Sequence, residues 1–316
     1  MRDLRDLLAC PACRGALSSQ WMCAACELTF EAADGILNLR LPSDARTEAV
    51  RRFYDRAPFP GYPPRDSLSM LRARAERSRF AVLLDRAIPC GACVVEIGCG
   101  TGQMSLYLAR TDRFIVAADL SRSSLAAGSE AARRYGIAQV QFVETDLRRP
   151  GLKAGMFDVV YSSGVLHHTP DPRASFAAIS RLARPGGMVI VGVYNTVARL
   201  PVKLRRSVAR LTGLAPIDPV LDDRRQEPAR YQAWLRDQYC HPEEHCHTIA
   251  EVRGWFLENG VDYLRSFPST IFGDESTDLF APAEDDWTVE NWLAQVGWIW
   301  TLGREGGLFF TIGRRR

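Results

Sequence analysis

From residue 92 onward the chain alternates short apolar runs with stretches of helical period. Runs of strand length occupy 94–98, 114–119, 141–144, 157–162 and 188–194, and amphipathic stretches over 102–110, 121–135 and 172–182 separate them. That alternation predicts βαβ units, and hence a mostly parallel sheet with helices on both faces. Ser121 suits an N-cap and Gly136 a C-terminal stop for the second of these helices. The regularity breaks across 195–247, then resumes with a helix over 249–259, stopped by Gly260, and with runs at 261–267 and 308–312. The expected fold class is α/β, a doubly wound sheet of seven strands.

Before residue 90 the pattern differs. Residues 1–41 hold two close cysteine pairs. Residues 42–88 read as a helical connector, with Arg51, Arg52 and Arg56 around Phe53 and Tyr54, a proline-rich loop over 57–64 that cannot be helical, and one helix over 67–87. The expected units are therefore 1–41, 42–88 and 89–316, the last carrying insertions at 195–247 and 268–306.

Composition mainly excludes. A chain of 316 residues, 47% hydrophobic and 24% charged, can bury a core without disulfides, and disordered, collagen-like and coiled-coil classes drop out. A formal net charge of +3 is too even for bulk electrostatic coating of nucleic acid, so any basic footprint is local. No run approaches the roughly 20 apolar residues of a transmembrane segment. The opening residues mix charge with leucine instead of forming an apolar leader, which makes a cytoplasmic location the expectation. Nine cysteines, an odd number, then favour metal-binding or structural use over a disulfide framework.

The densest chemistry lies at 94–102, Val-Val-Glu-Ile-Gly-Cys-Gly-Thr-Gly: a buried strand, a glycine turn, then a helix. Gly98, Gly100 and Gly102 let a ligand approach the main chain and permit positive φ. Their spacing differs from the G-x-G-x-x-G of dinucleotide sites, and the strand carries Glu96. Acidic groups here suit a ligand with positive charge and no phosphate. Asp119 closes the second strand, where a carboxylate can accept both hydroxyls of a ribose, and Asp146 follows the third. With Leu166-His167-His168 after the fourth strand and Arg184-Pro185-Gly186-Gly187 before the fifth, these features resemble the class I S-adenosylmethionine-dependent methyltransferases over about 90–195, and more weakly to 313.

The resemblance implies a Rossmann-like fold with a reversed final strand and S-adenosylmethionine as cofactor. It implies that Gly98, Gly100 and Gly102 line the methionine part, with Glu96 near its amino group. Asp119 would hold the ribose, Leu120 would pack on the adenine, and Asp146 with Leu147 would meet its edge. Ser162, Ser163 and Gly164 would complete the amino-acid pocket. His167 and His168 fall where the family keeps residues near the transferred methyl, so either could orient or deprotonate an acceptor. Hydrogen bonding to loop backbone is the alternative. The stretch is not Asp/Asn-Pro-Pro-Tyr, which demotes adenine and glutamine nitrogens as acceptors.

Cys10, Cys13, Cys23 and Cys26 form a C-x2-C-x9-C-x2-C array, spacing that can close tetrahedrally on Zn²⁺. In so small a segment the metal replaces a core, and four sulfur ligands leave no open position, so the zinc is expected to be structural. Redox pairs are the competing reading, without a thioredoxin-like context. Together with 30–39, this segment resembles the zinc ribbon that partners eukaryotic tRNA and protein methyltransferases; a ribbon also precedes bacterial ribosomal-RNA guanine methyltransferases. The resemblance implies RNA as a partner, with a mere packing module equally open.

Residues 237–247 concentrate three of the five histidines. Asp237, Gln238, His241, Glu244 and His247 resemble a stretch in methyltransferases of this group, and a lid or acceptor-pocket role for Tyr239, His241, Glu244 and His247 is favoured over a metal site or a capping loop. Six of the seven tryptophans, 234, 255, 287, 292, 298 and 300, lie in this last third. They fall in the polypeptide expected to cover the acceptor, with Trp255 at core spacing. In 197–211, Val197, Leu200, Leu204, Val208 and Leu211 share a helical face among five basic residues. A solvated helix over a core stripe is the expectation, with membrane or RNA contact as alternatives. The expected function is methyl transfer to an O- or N-nucleophile of a small metabolite. RNA methylation guided by the ribbon is the alternative, and a non-catalytic cofactor-binding scaffold is the alternative of another class. Sequence fixes neither the acceptor nor the oligomeric state.

Overall fold

The chain is described by a computed structural model that covers every residue except 1–2, 57, 64, 111, 214–215, 224, 226–227, 240, 242, 275, 284–287 and 303–305, and the side chains of 228–230, 233, 237 and 288. Its strands are β1 (Ala32–Ala33), β2 (Ile36–Asn38), β3 (Cys93–Ile97), β4 (Phe114–Asp119), β5 (Val140–Glu144), β6 (Phe157–Ser163), β7 (Ala183–Tyr194), β8 (Val261–Phe267) and β9 (Leu308–Arg315). Its helices are α1 (Ala45–Arg56), α2 (Leu68–Ala75), α3 (Arg79–Ala87), α4 (Gln103–Leu108), α5 (Arg122–Tyr135), α6 (Pro172–Ser180), α7 (Leu200–Thr212), α8 (Pro219–Asp223), α9 (Pro228–Tyr239), α10 (Ile249–Glu258) and α11 (Thr288–Thr301).

One sheet runs β1-β2-β5-β4-β3-β6-β7-β9-β8, with β9 antiparallel between β7 and β8. It has nine strands rather than the seven expected. The two extra strands come from the cysteine-rich segment: β1 and β2 form a hairpin, and β2 pairs in parallel with β5, Leu37 opposite Val143. Such short strands carry little periodic signal of their own and exist because an edge of the sheet is there to pair with. Strand β3 is buried along its whole length, as expected of a strand covered on both faces. The chain runs from β3 to β4 and β5 on one side, then returns to β6 on the other. That topological switch point opens a crevice at the carboxyl ends of β3 and β6.

One face of the sheet packs against α6, α10 and the N-terminal segment, through Phe176, Trp255 and Leu8; the other packs against α3, α4 and α5, through Leu84, Leu106 and Leu125. Caps fix the element ends. The Ser121 hydroxyl accepts from the Ser124 amide, and Gly136 closes α5 in the left-handed region. The single helix expected over 67–87 is two, because Ser78 starts a new cap by accepting from Ala81. Among the described residues, no helix is long and apolar enough to cross a membrane.

Candidate cofactor and acceptor site

The turn after β3 places Gly98, Gly100 and Gly102 at φ of 74°, 54° and 72°, a region costly for any residue with a Cβ. A Cβ on Gly98 would meet Val165 at 2.3 Å, and one on Gly100 would meet the Phe59 carbonyl at 2.3 Å. Approach of a ligand is therefore only part of why these are glycines; the protein's own loops already crowd them. The proline-rich loop lies over the turn, with Tyr62 donating to the Thr101 carbonyl (2.7 Å) and Gln103 donating to the Gly61 carbonyl (3.1 Å).

Two carboxylates lie beside this turn, Glu96 buried and Asp119 half-buried. Asp119, at the end of β4, accepts from the amides of Gly100 (2.7 Å) and Ser121 (2.8 Å). Each oxygen keeps a second lone pair for a ligand hydroxyl. Burial raises the Asp119 carboxyl above its usual range against the pull of those amides. Glu96, on β3, accepts a hydrogen bond from Ser105, and burial with the nearby Asp119 charge pushes it up to about 7. Neither is paired with a cation among the described residues, which is the environment that would favour a cationic ligand.

These groups line a cavity of about 1070 Å³, at the top of the roughly 300–1,000 Å³ range of small-molecule sites. Glu96, Gly98, Gly100, Asp119, Leu120, Asp146, Leu147, Ser163, Gly164 and His168 all line it. Gly102, Ser162 and His167 stand behind its wall: the Ser162 hydroxyl donates to the Ile97 carbonyl (2.9 Å), tying β6 to β3. The Asp146 carboxylate is held by Arg148 at 2.8 Å, and Arg148 also reaches Asp44 at 2.7 Å.

The connector contributes walls that sequence reasoning missed. Arg51, Tyr54, Phe59, Tyr62 and Leu71 line the cavity, from α1, the proline-rich loop and α2. Their helical period and prolines identified elements, but nothing local announced that these would fold over a turn forty residues away. From α9, Trp234 and Gln238 also face in. Trp255 is a core residue, as its spacing predicts, but the others do not follow the expected grouping: Trp298 is also core, Trp292 and Trp300 face solvent, and Trp287 lies outside the described residues.

All five histidines gather at one end of the cavity. His168 stacks on His241 at 3.6 Å, and His167 lies tilted against Tyr194 at 3.9 Å. His168 Nδ1 lies 2.7 Å from the Glu243 carbonyl, which can only accept; this assigns the proton to Nδ1 and leaves Nε2 as a lone pair. That Nε2 is buried with no hydrogen-bond partner among the described residues. Burial lowers the His168 imidazole to about 4, so it is neutral at physiological pH, and His167 is driven well down for the same reason.

The remaining residues of the histidine stretch point into the protein. The Tyr239 hydroxyl donates to Asp218 (2.7 Å), and His247 contacts Glu251 at 2.8 Å with its ring against Trp255. Glu244 accepts from both ends of the fully buried Arg199 guanidinium (3.1 and 2.8 Å) and from Arg206 (2.7 Å). Burial alone would raise Glu244, but the two arginines hold it at about 2. Tyr239, His241, Glu244 and His247 thus brace the cap over the cavity rather than lining it, and only His241 reaches the wall, through His168. Their short spacing hid this, because the partners sit on distant elements. Asp237's side chain and Cys240 lie outside the described residues.

At the N-terminal end the sulfurs of Cys10, Cys13, Cys23 and Cys26 lie within 4.8 Å of one another. Four bonds of ~2.3 Å from a tetrahedral metal put sulfurs ~3.8 Å apart, so the cluster fits a four-thiolate ion. Each pair closes on a left-handed residue, Arg14 and Glu27. The segment is tied to the sheet by Ala9 donating to Gly151 (3.0 Å) and Lys153 donating to Leu7 (2.8 Å).

Comparison with known proteins agrees with this geometry. Residues 95–191 match the family described as a methyltransferase domain, the span that holds the glycine turn, both acids and His168. Residues 95–191 thus carry a methyltransferase domain. This domain has the fold of magnesium protoporphyrin IX methyltransferase from Synechocystis PCC 6803, solved with its cofactor bound: TM-score 0.50, 14% identity, 87% of this chain and all (100%) of that one. It shares the fold equally with a [4+2]-cyclase, SpnF, at TM-score 0.51 and 17% identity over 87% of this chain and 98% of that one. An uncharacterised protein of Synechococcus sp. is 28% identical over 74% of this chain and 64% of its own. A ubiquinone biosynthesis O-methyltransferase of Xanthomonas axonopodis is 32% identical over 50% of this chain and 66% of its own. The chain thus spans less than two thirds of the length of its first relatives, 64% and 58%.

Proposed function

We propose that the protein transfers a methyl group from S-adenosylmethionine to a hydroxyl or amine of a small, largely apolar acceptor. The observation that carries this reading is the pair of carboxylates, buried Glu96 and half-buried Asp119, left without cations beside a glycine turn, at one end of a cavity larger than a nucleoside needs. When bound, the cofactor supplies an activated methyl on a sulfonium. Glu96 would attract the cationic amino-acid end, Asp119 would accept from the ribose, and Leu120 with Asp146 and Leu147 would border the adenine. The aromatic walls of Tyr54, Phe59, Tyr62 and Trp234 suit an apolar acceptor and exclude water from it. His168 would border the acceptor with its ring and so help to orient it; His167 would keep that ring in place from behind.

The ubiquinone biosynthesis relative favours a small-molecule acceptor. RNA is the weaker reading, since several arginines around the cavity and the cap are engaged internally: Arg40 and Arg122 with Glu144, Arg148 with Asp146, Arg199 and Arg206 with Glu244. Because one protein of this fold is a [4+2]-cyclase, the fold alone does not fix the reaction, and the scaffold reading is decided by turnover. Titration calorimetry with the cofactor and its demethylated product tests binding, and labelled cofactor with fractionated cell extract tests transfer. Binding without label in any fraction leaves a scaffold, and no binding ends the proposal. In the same reading 1–41 is a structural zinc module, 42–88 a connector that covers the cavity, and 89–316 the catalytic unit with its two insertions. Cys23→Ser is expected to lose the metal by mass spectrometry and loosen the N-terminal segment while cofactor binding persists.

A further inference from the structure

Helix α7 turns two of its four cations inward and its leucines outward. Arg199, just before it, and Arg206 are joined to Glu244, and Arg205 lies 3.5 Å from Asp218. On the opposite side Leu200, Leu204, Val208 and Leu211 are 51, 67, 48 and 87% exposed, and Ile217 beyond the helix is 83% exposed. Spacings of four, four and three put these side chains in one stripe. One exposed leucine needs no explanation, but a stripe of them marks a surface that something covers.

Charge identifies what covers it. Residues 200–212 contain Lys203, Arg205, Arg206 and Arg210 and no acid. Lys203 and Arg210 are exposed along one border of the leucine stripe. A second copy meeting this face by twofold symmetry would set those cations against their like. An anionic headgroup layer satisfies them while the leucines enter the acyl boundary. We infer that α7 docks the protein on a bilayer surface carrying anionic lipid. Helix α11 adds exposed Val289, Trp292, Leu293 and Trp300, amphipathic aromatics of the kind that settle at headgroup depth. It is joined to the start of the cap where Asn195 donates to Gln295 (2.9 Å). On its inner side Val202 of α7 packs with Leu221 and Tyr239, and α9 carries Trp234 into the cavity wall, so the docked surface lies one helix from the cavity.

The inference is independent of methyl transfer. Its test is flotation of the full chain with phosphatidylcholine vesicles and with vesicles containing about 30% phosphatidylglycerol. The protein is expected to float with the second and to be partly released by high salt. The double variant Leu204→Ser/Leu211→Ser is expected to bind at least about tenfold more weakly. Lys203→Glu/Arg210→Glu is expected to lose the preference for phosphatidylglycerol. Both change solvent-facing side chains, so unchanged melting and cofactor binding accompany the loss. Wild-type protein that floats with neither vesicle, or variants that float as it does, overturn the inference. So does a wild-type dimer by light scattering that Leu204→Ser/Leu211→Ser converts to monomer, which gives the stripe to a second copy.

Discussion

The two ends of the cavity treat buried acid in opposite ways. At the glycine turn, buried Glu96 and half-buried Asp119 have only hydrogen bonds from the protein, and Glu96 is pushed up to about 7. In the cap, Glu244 is buried against two arginines and held at about 2. A buried charge that the protein neutralises is architecture, because its partner is already present. One left unneutralised is held at a cost that only a ligand relieves. The contrast separates binding residues from bracing ones more surely than their place in a motif does, for the sequence offers both Glu96 and Glu244 as candidate site residues.

The largest test of the contrast is in the cap. Arg199→Met removes the buried one of the two arginines that match Glu244, together with its hydrogen bond to Gln238, and is expected to cost about 3 kcal/mol in urea unfolding. The same class of change at the turn should behave differently. Asp119→Asn is expected to keep the fold and to weaken cofactor binding about ten- to a hundredfold by calorimetry, the worth of charged hydrogen bonds to a ribose. Loss of the fold instead would make Asp119 another brace.

Acidity gives two smaller tests. A cationic ligand needs the Glu96 carboxylate ionised, so cofactor affinity is expected to fall about tenfold from pH 8 to pH 6, and Glu96→Gln is expected to flatten that profile at a lower affinity. Without ligand the sign reverses. The folded Glu96 holds its proton above the ordinary carboxyl range, so its contribution to stability is present below about 4.5 and lost as pH rises through about 7. Glu96→Gln is therefore expected to gain in urea midpoint relative to wild type between pH 5 and 8. Glu244 runs the other way, with stability present above the ordinary range and lost as pH falls toward about 2. Wild-type and Glu244→Gln midpoints are expected to converge in acid.

Much of the central sheet was legible because its signals are local. The five parallel strands of the core, the cap at Ser121 and the stop at Gly136 follow from period and turn chemistry within a few residues. The hairpin β1–β2 was not legible, since two- and three-residue strands have no period and exist only against β5. The acids at 96 and 119 could be placed at strand ends, whereas the cover supplied by Phe59 and Tyr62 could not, because that loop meets the turn across forty intervening residues.

By itself the sequence determined the order of strands and helices in the central parallel sheet, the glycine turn and the cysteine spacing, all set by backbone preference and by which side chains recur on one face. Only the tertiary structure decided that His168 and not His167 faces the cavity, that Glu244 is matched by Arg199, and that the leucines of α7 look outward. The reason is that a helix period names two faces without saying which is inward. Charge pairing across distant segments makes that choice: the acids at 218 and 244 draw the arginines in and leave the apolar face to the outside.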